Sequence, residues 1–217
     1  MKPAFVSLCA LLALTACGSR NLGAETQAAR APLPAPDWRA LATPGDRERL
    51  RNWRTAWVEG VRKAQASGHA AAIAREGALL DPDAGIDWLN PPPGDYRCRV
   101  LKIGAKSRGM LDYVAYPPFT CRIRQEAGLM SFAKMTGSQR PLGHFLPYVG
   151  QRMVFLGTMQ LGDEPRALEY GRDRERDMAG VVERIGSRRW RLVLPYPHFE
   201  STIDIVELVP VSTPTQA

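Results

Sequence analysis

A chain of 217 residues that is 45% hydrophobic and 24% charged carries enough apolar side chain for a packed core, which excludes a disordered polymer. Its formal charge of +7 suits an anionic partner, but the basic residues are interleaved with acids, as in Gly171–Asp177, and a nucleic-acid interface is not expected. The length fits one domain, or one domain with a helical appendage.

The chain starts Met1-Lys2 and continues through an apolar run, residues 4–16, that ends Leu14-Thr15-Ala16-Cys17. This run is too short for a spanning helix, which needs about 20 apolar residues, and has the length of a secretory leader. Small residues before the cut and a thiol after it are what a lipoprotein-processing pathway requires. Residues 1–16 are therefore expected to be a lipoprotein signal peptide, with Cys17 lipidated. Gly18 stands where an Asp would retain the product at the inner membrane. The expectation is a periplasmic, lipid-anchored protein on the inner leaflet of the outer membrane. Residues 17–37, small, polar and Pro-rich, read as a flexible tether.

Residues 38–93 read as a helical segment. Thr43 is a candidate N-cap, with Pro44 in the first turn and Asp46 at the positive helix end. Leu50, Trp53, Trp57, Val61 and Ala64 follow at helical spacing and form one apolar stripe. The two tryptophans suit an anchor better than a ligand shelf. Ser67-Gly68 marks a break, a second helix is predicted over His69–Leu80, and Pro91-Pro92-Pro93-Gly94 forms a stiff boundary.

From Gly94 the texture changes to short runs with turn signals between them. Strands are predicted over Tyr96–Ile103, Met110–Tyr116, Phe119–Glu126, Leu129–Thr136, Met153–Leu161, Met178–Ile185, Arg189–Pro195 and Ser201–Leu208. No crossover helix fits between neighbours, so the pairing should be antiparallel. The fold class is α+β. The N-terminal helical segment precedes an antiparallel meander over 94–210, which closes into a small barrel of about eight strands, lipocalin-like or avidin-like in general form. An open sheet or sandwich is the alternative. Residues 211–217 read as a disordered tail. With Cys9 discarded and Cys17 acylated, Cys98 and Cys121 remain, without CxxC spacing, and a structural disulfide is expected.

The three histidines, His69, His144 and His198, are widely separated, and there is no HExxH, GxSxG, phosphate loop or dinucleotide fingerprint. Neither a metal site nor a cofactor is expected. Two clusters are candidate ligand-facing patches. In Tyr196–Asp204, an extended backbone would put His198, Glu200 and Thr202 on one face, with Ser201 on the other; the favoured alternative is a structured turn whose polar side chains bond to neighbouring strands. Residues 137–148 read as a long recognition loop, or as a plug over the core, and carry Arg140, His144 and Tyr148. The candidate ligand-facing residues are thus Arg140, His144, Tyr148, Tyr196, His198 and Glu200.

The LTAC start, the Trp-rich helix, the segment Tyr96–Gly104 and the closing segment Val181–Pro210 resemble a family of uncharacterised alphaproteobacterial envelope proteins, a domain of unknown function. The specific part is the end motif, with Gly180, Val182, Glu183, Arg184, Trp190, Arg191, Leu192, Pro195, Phe199, Glu200, Ser201, Asp204 and Glu207. The resemblance covers roughly residues 38–210 and implies an envelope location and one shared domain; it implies no activity, cofactor or catalytic residue. Architecture alone does not select a function. The favoured expectation is a non-enzymatic binding or accessory module, held at the membrane by lipid, whose partner is a small apolar ligand, an envelope glycan or a protein. The alternatives are a structural protein contacting anionic polymers and a hydrolase using the His198/Glu200 region.

Overall fold

The structure is a computed structural model that describes residues 36–211 except 88, 127, 149 and 151. The leader, Cys17, the tether up to residue 35 and the tail beyond Val211 lie outside the described residues.

Among the described residues, four α-helices come first: α1 (Trp38–Leu41), α2 (Pro44–Arg51), α3 (Trp53–Ala64) and α4 (Ala70–Glu76). Thr43 caps α2, accepting from the Asp46 amide at 3.2 Å and donating its hydroxyl to the Asp46 carboxylate at 2.8 Å. The apolar stripe of α3 buries Trp53, Trp57 and Ala64. The chain then kinks at Gly68, whose φ of 90° is not helical and separates α3 from α4, at the break expected there. The helix predicted over His69–Leu80 is shorter than expected, because Gly77 at a φ of 54° ends α4 and turns the chain. No helix among the described residues is long and apolar enough to cross a membrane.

Nine strands follow among the described residues: β1 (Gly94–Ala105), β2 (Tyr113–Ala115), β3 (Phe119–Glu126), β4 (Leu129–Lys134), β5 (Gln139–Pro147), β6 (Arg152–Leu161), β7 (Asp177–Gly186), β8 (Arg189–Pro195) and β9 (Ser201–Pro210). All pairings are antiparallel, and β9 returns to β1 from Tyr96↔Pro210 to Ala105↔Ser201, which closes an eight-stranded barrel. The short β2 flanks the upper half of β1 while β3 pairs its lower half, so Pro117-Pro118 splits one barrel position between two strands.

The expected loop over 137–148 is a correction: residues 139–147 are the central strand β5, laddered to both β4 and β6. Pro141 obscured it, since proline lacks a ladder donor. Here it stands beyond the last β4–β5 pair, Ala133↔Leu142, so no bond to β4 is lost.

Alternation along the strands sorts the core into two layers. Tyr96, Cys98 and Val100 of β1 and Val206 and Leu208 of β9 face the barrel interior. Leu101, Ile103, Ile203 and Ile205 face outward, beneath α3. The interior centres on Phe132, Phe145 and Phe155, whose ring centroids lie 5.5–5.9 Å apart. Gly143 and Gly157 pair across β5–β6, and a Cβ on either would strike the other strand's carbonyl oxygens, of Leu156 and Leu142 respectively. The disulfide Cys98–Cys121 ties β1 to β3 inside the wall, with Cα atoms 5.8 Å apart.

On the outer layer, α3 crosses β1 where Gly60 meets Gly104; a Cβ on Gly60 would lie 2.9 Å from Ile203 Cγ2. The tryptophans are anchors. Trp57 stacks on the Arg191 guanidinium at 4.6 Å and Trp53 on that of Arg152 at 5.0 Å. Arg191, fully buried, donates to Glu183 Oε2 from Nε and Nη2 at 2.9 and 2.6 Å, and Arg152 donates to Glu183 Oε1 at 2.7 Å. The Nη1 of Arg191 donates to the carbonyls of Ala78, Leu79 and Asp81, so this network clamps the segment after α4 onto β7 and β8.

Candidate functional site

The barrel interior is filled at its middle and open above. A cavity of about 250 Å³ lies at the end where β1 finishes and the β4–β5, β6–β7 and β8–β9 connections gather. Its walls are Val100, Tyr116, Phe119, Met159, Leu194 and Val206. Its polar side chains are Lys102, Lys134, Ser138, Gln139, Glu200 and Asp204.

Three of these arise from one sequence pattern. The inward series of β1 runs Tyr96, Cys98, Val100 and then Lys102; that of β4 runs Met130, Phe132 and then Lys134; that of β9 begins with Asp204 before Val206 and Leu208. Each apolar series carries a charge at the same end of the barrel, so the strands themselves deliver the charged groups to the cavity.

Lys102 and Asp204 are cross-strand partners and nearly inaccessible. Lys102 Nζ donates to Asp204 Oδ2 at 3.0 Å and lies 3.2 Å from Glu200 Oε2. Burial alone would lower the Lys102 ammonium, but Asp204 and Glu200 outweigh it and hold it above the ordinary lysine range. The Ser201 hydroxyl donates to Asp204 Oδ1, and Gln139 Nε2 donates to Glu200 Oε1 at 3.2 Å. The two carboxylates are thus already occupied.

Lys134 differs. It is 5% exposed, and its Nζ donates to the carbonyls of Thr136 at 2.7 Å and Gln139 at 2.9 Å, over the Phe119 ring at 3.6 Å. Gly137, at a φ of 88°, makes this possible: a Cβ there would lie 2.7 Å from Nζ and 2.9 Å from the Phe119 ring. Burial, reinforced by Arg140 and Lys102, pushes the Lys134 ammonium down to about 8. No carboxylate among the described residues forms an ion pair with it.

Of the sequence candidates, Glu200 lines this cavity. Its position depends on the turn 196–200, which is a structured turn and not an extended run. Tyr196 and Glu200 take positive φ values of 46° and 68°, unusual for residues with a side chain. His198, Glu200 and Thr202 therefore do not share one strand face, since β9 begins only at Ser201. Glu200 faces Lys102 and Gln139, Ser201 faces Asp204, and His198 is exposed, so these groups do not assemble into a nucleophile–base pair. The Tyr196 hydroxyl donates to Glu59 of α3 at 3.0 Å. Arg140 donates to the carbonyls of Gly137, Leu161 and Gly162, bracing the upper rim. His144 is exposed on β5. Tyr148 lies edge-on to Trp38 and lines a second cavity, of about 240 Å³, at the opposite end. Lys102, Lys134 and Asp204 were not among the candidates; the charge ending each period-two series is the signal that marks them.

A closed eight-stranded barrel with a charged, half-open interior and a helical flank defines a class of small β-barrel domains. Residues 38–208 match a family model described as a domain of unknown function (DUF4893), and the chain belongs to that family. No curated protein and no solved structure gave a match.

Proposed function

We propose that this chain is a non-enzymatic binding module of the cell envelope, anchored through Cys17, that takes a small amphipathic molecule into the open half of its barrel. The observation that carries this reading is the cavity itself, with apolar walls and a few converging polar groups, a combination that characterises ligand pockets. Its volume of about 250 Å³ favours a small ligand. The LTAC start supports the anchor, and the Cys98–Cys121 bond supports an oxidising compartment.

The test is a methyl-resolved NMR titration of the full chain with octan-1-ol, a neutral amphiphile. Methyls of Val100, Met159, Leu194 and Val206 are expected to shift, those of Leu192 and Leu208 deeper in the barrel to stay, and Leu194→Trp to abolish the effect. Shifts spread over the outer surface, or persisting unchanged in Leu194→Trp, overturn the reading.

A further inference from the structure

We propose that the cavity selects singly charged acids, with an apolar body against Val100, Leu194 and Val206 and a carboxylate against the Lys134 ammonium. This rests on the ligand-binding reading and names the ligand class for the same site.

The argument is one of charge accounting inside the cavity. Four charged side chains line it: Lys102, Lys134, Glu200 and Asp204. Lys102 already lies between Asp204 and Glu200, at 3.0 and 3.2 Å. Those carboxylates also accept from Ser201 and Gln139, so a cationic ligand would have to displace bonds that exist. Lys134 is held by neutral partners alone, two carbonyls and an aromatic face. The charges whose fields reach it most strongly, Arg140 and Lys102, have its own sign. A buried cation among neutral groups and like charges is costly, and a carboxylate brought beside it would relieve that cost. The four side chains sum to zero when ionised, so one added negative charge is tolerated where a doubly charged head, facing Glu200 and Asp204, is repelled.

The experiment compares octanoate with octan-1-ol, equal in chain length, by calorimetric titration of the full chain at pH 7. Octanoate is expected to bind at least ten-fold more tightly than the alcohol. In Lys134→Met that preference should vanish while alcohol binding persists. Equal affinities for acid and alcohol in the unmodified chain overturn the proposed acid class and leave the cavity reading standing. Binding of neither compound overturns both. The comparison in the unmodified chain decides the question even if Lys134→Met does not fold.

Discussion

Lys134 is a base that the folded chain holds at about 8, against an ordinary lysine value of 10.5, chiefly through burial and then through Arg140 and Lys102. Between those two values the unfolded chain binds more protons at this residue than the folded one. Its contribution to stability therefore rises with pH across that window, and the cost of burying the charge is fully present below about 8. Asp204 and Glu200 line the same cavity, but both pair with Lys102 and not with Lys134. Urea unfolding of the unmodified chain and of Lys134→Met at pH 7.5 and pH 10 isolates the effect. The unmodified chain should gain on the variant at the higher pH, and a constant gap between the two would contradict a buried, uncompensated ammonium. Neither Lys102 nor Lys134 could be told from a surface lysine by type alone. Only their place at the end of an inward apolar series separates them, and that parity is visible once the strand register is known. Glu200 was legible as a candidate, but the positive φ that turns it into the cavity was not, because no glycine marks the position.

At the scale of elements, the strands with clean alternation and the capped helix α2 could be read directly, whereas β5 could not. Its sequence, Gln139–Pro147, contains Pro141 and Gly143, both of which read as breakers. In the barrel each has a reason: Pro141 stands beyond the β4 ladder, and Gly143 meets Gly157 where the strands approach too closely for a side chain. Gly143→Ala should accordingly lose about 3 kcal/mol, the upper end for overpacking, because the atoms it strikes are backbone and cannot swing away. Gly45 in α2 has open space around it, and Gly45→Ala should be neutral or stabilising by about 0.5 kcal/mol. Equal unfolding midpoints for the two variants would show that the close strand approach is not a packing constraint. The Arg191–Glu183 clamp was equally hidden. Both residues belong to the end motif, yet nothing in their spacing says that they would be buried together under Trp57.

For the whole molecule, the fold class followed from counting short strands and finding no room for crossover helices. What could not be read was how much of the interior would be filled, since that depends on the phenylalanine cluster and the glycine pair meeting across distant strands. The proposed anchor belongs to this scale too. Cys17→Ser should move the protein from the membrane fraction to the soluble periplasmic fraction with the Cys98–Cys121 bond intact; a variant still sedimenting with membranes would sink the idea of a lipid tether. The closing pair β1–β9 carries a further consequence. The first strand of the ring to be synthesised waits for the last, with residues 106–200 made between them. Until that seam is laid, Tyr96–Ile103 presents a bare lip of backbone donors and acceptors able to zip onto another chain. Assembly is governed by its most distant contact, which makes the ring slow to form and its unfinished states prone to stick to one another.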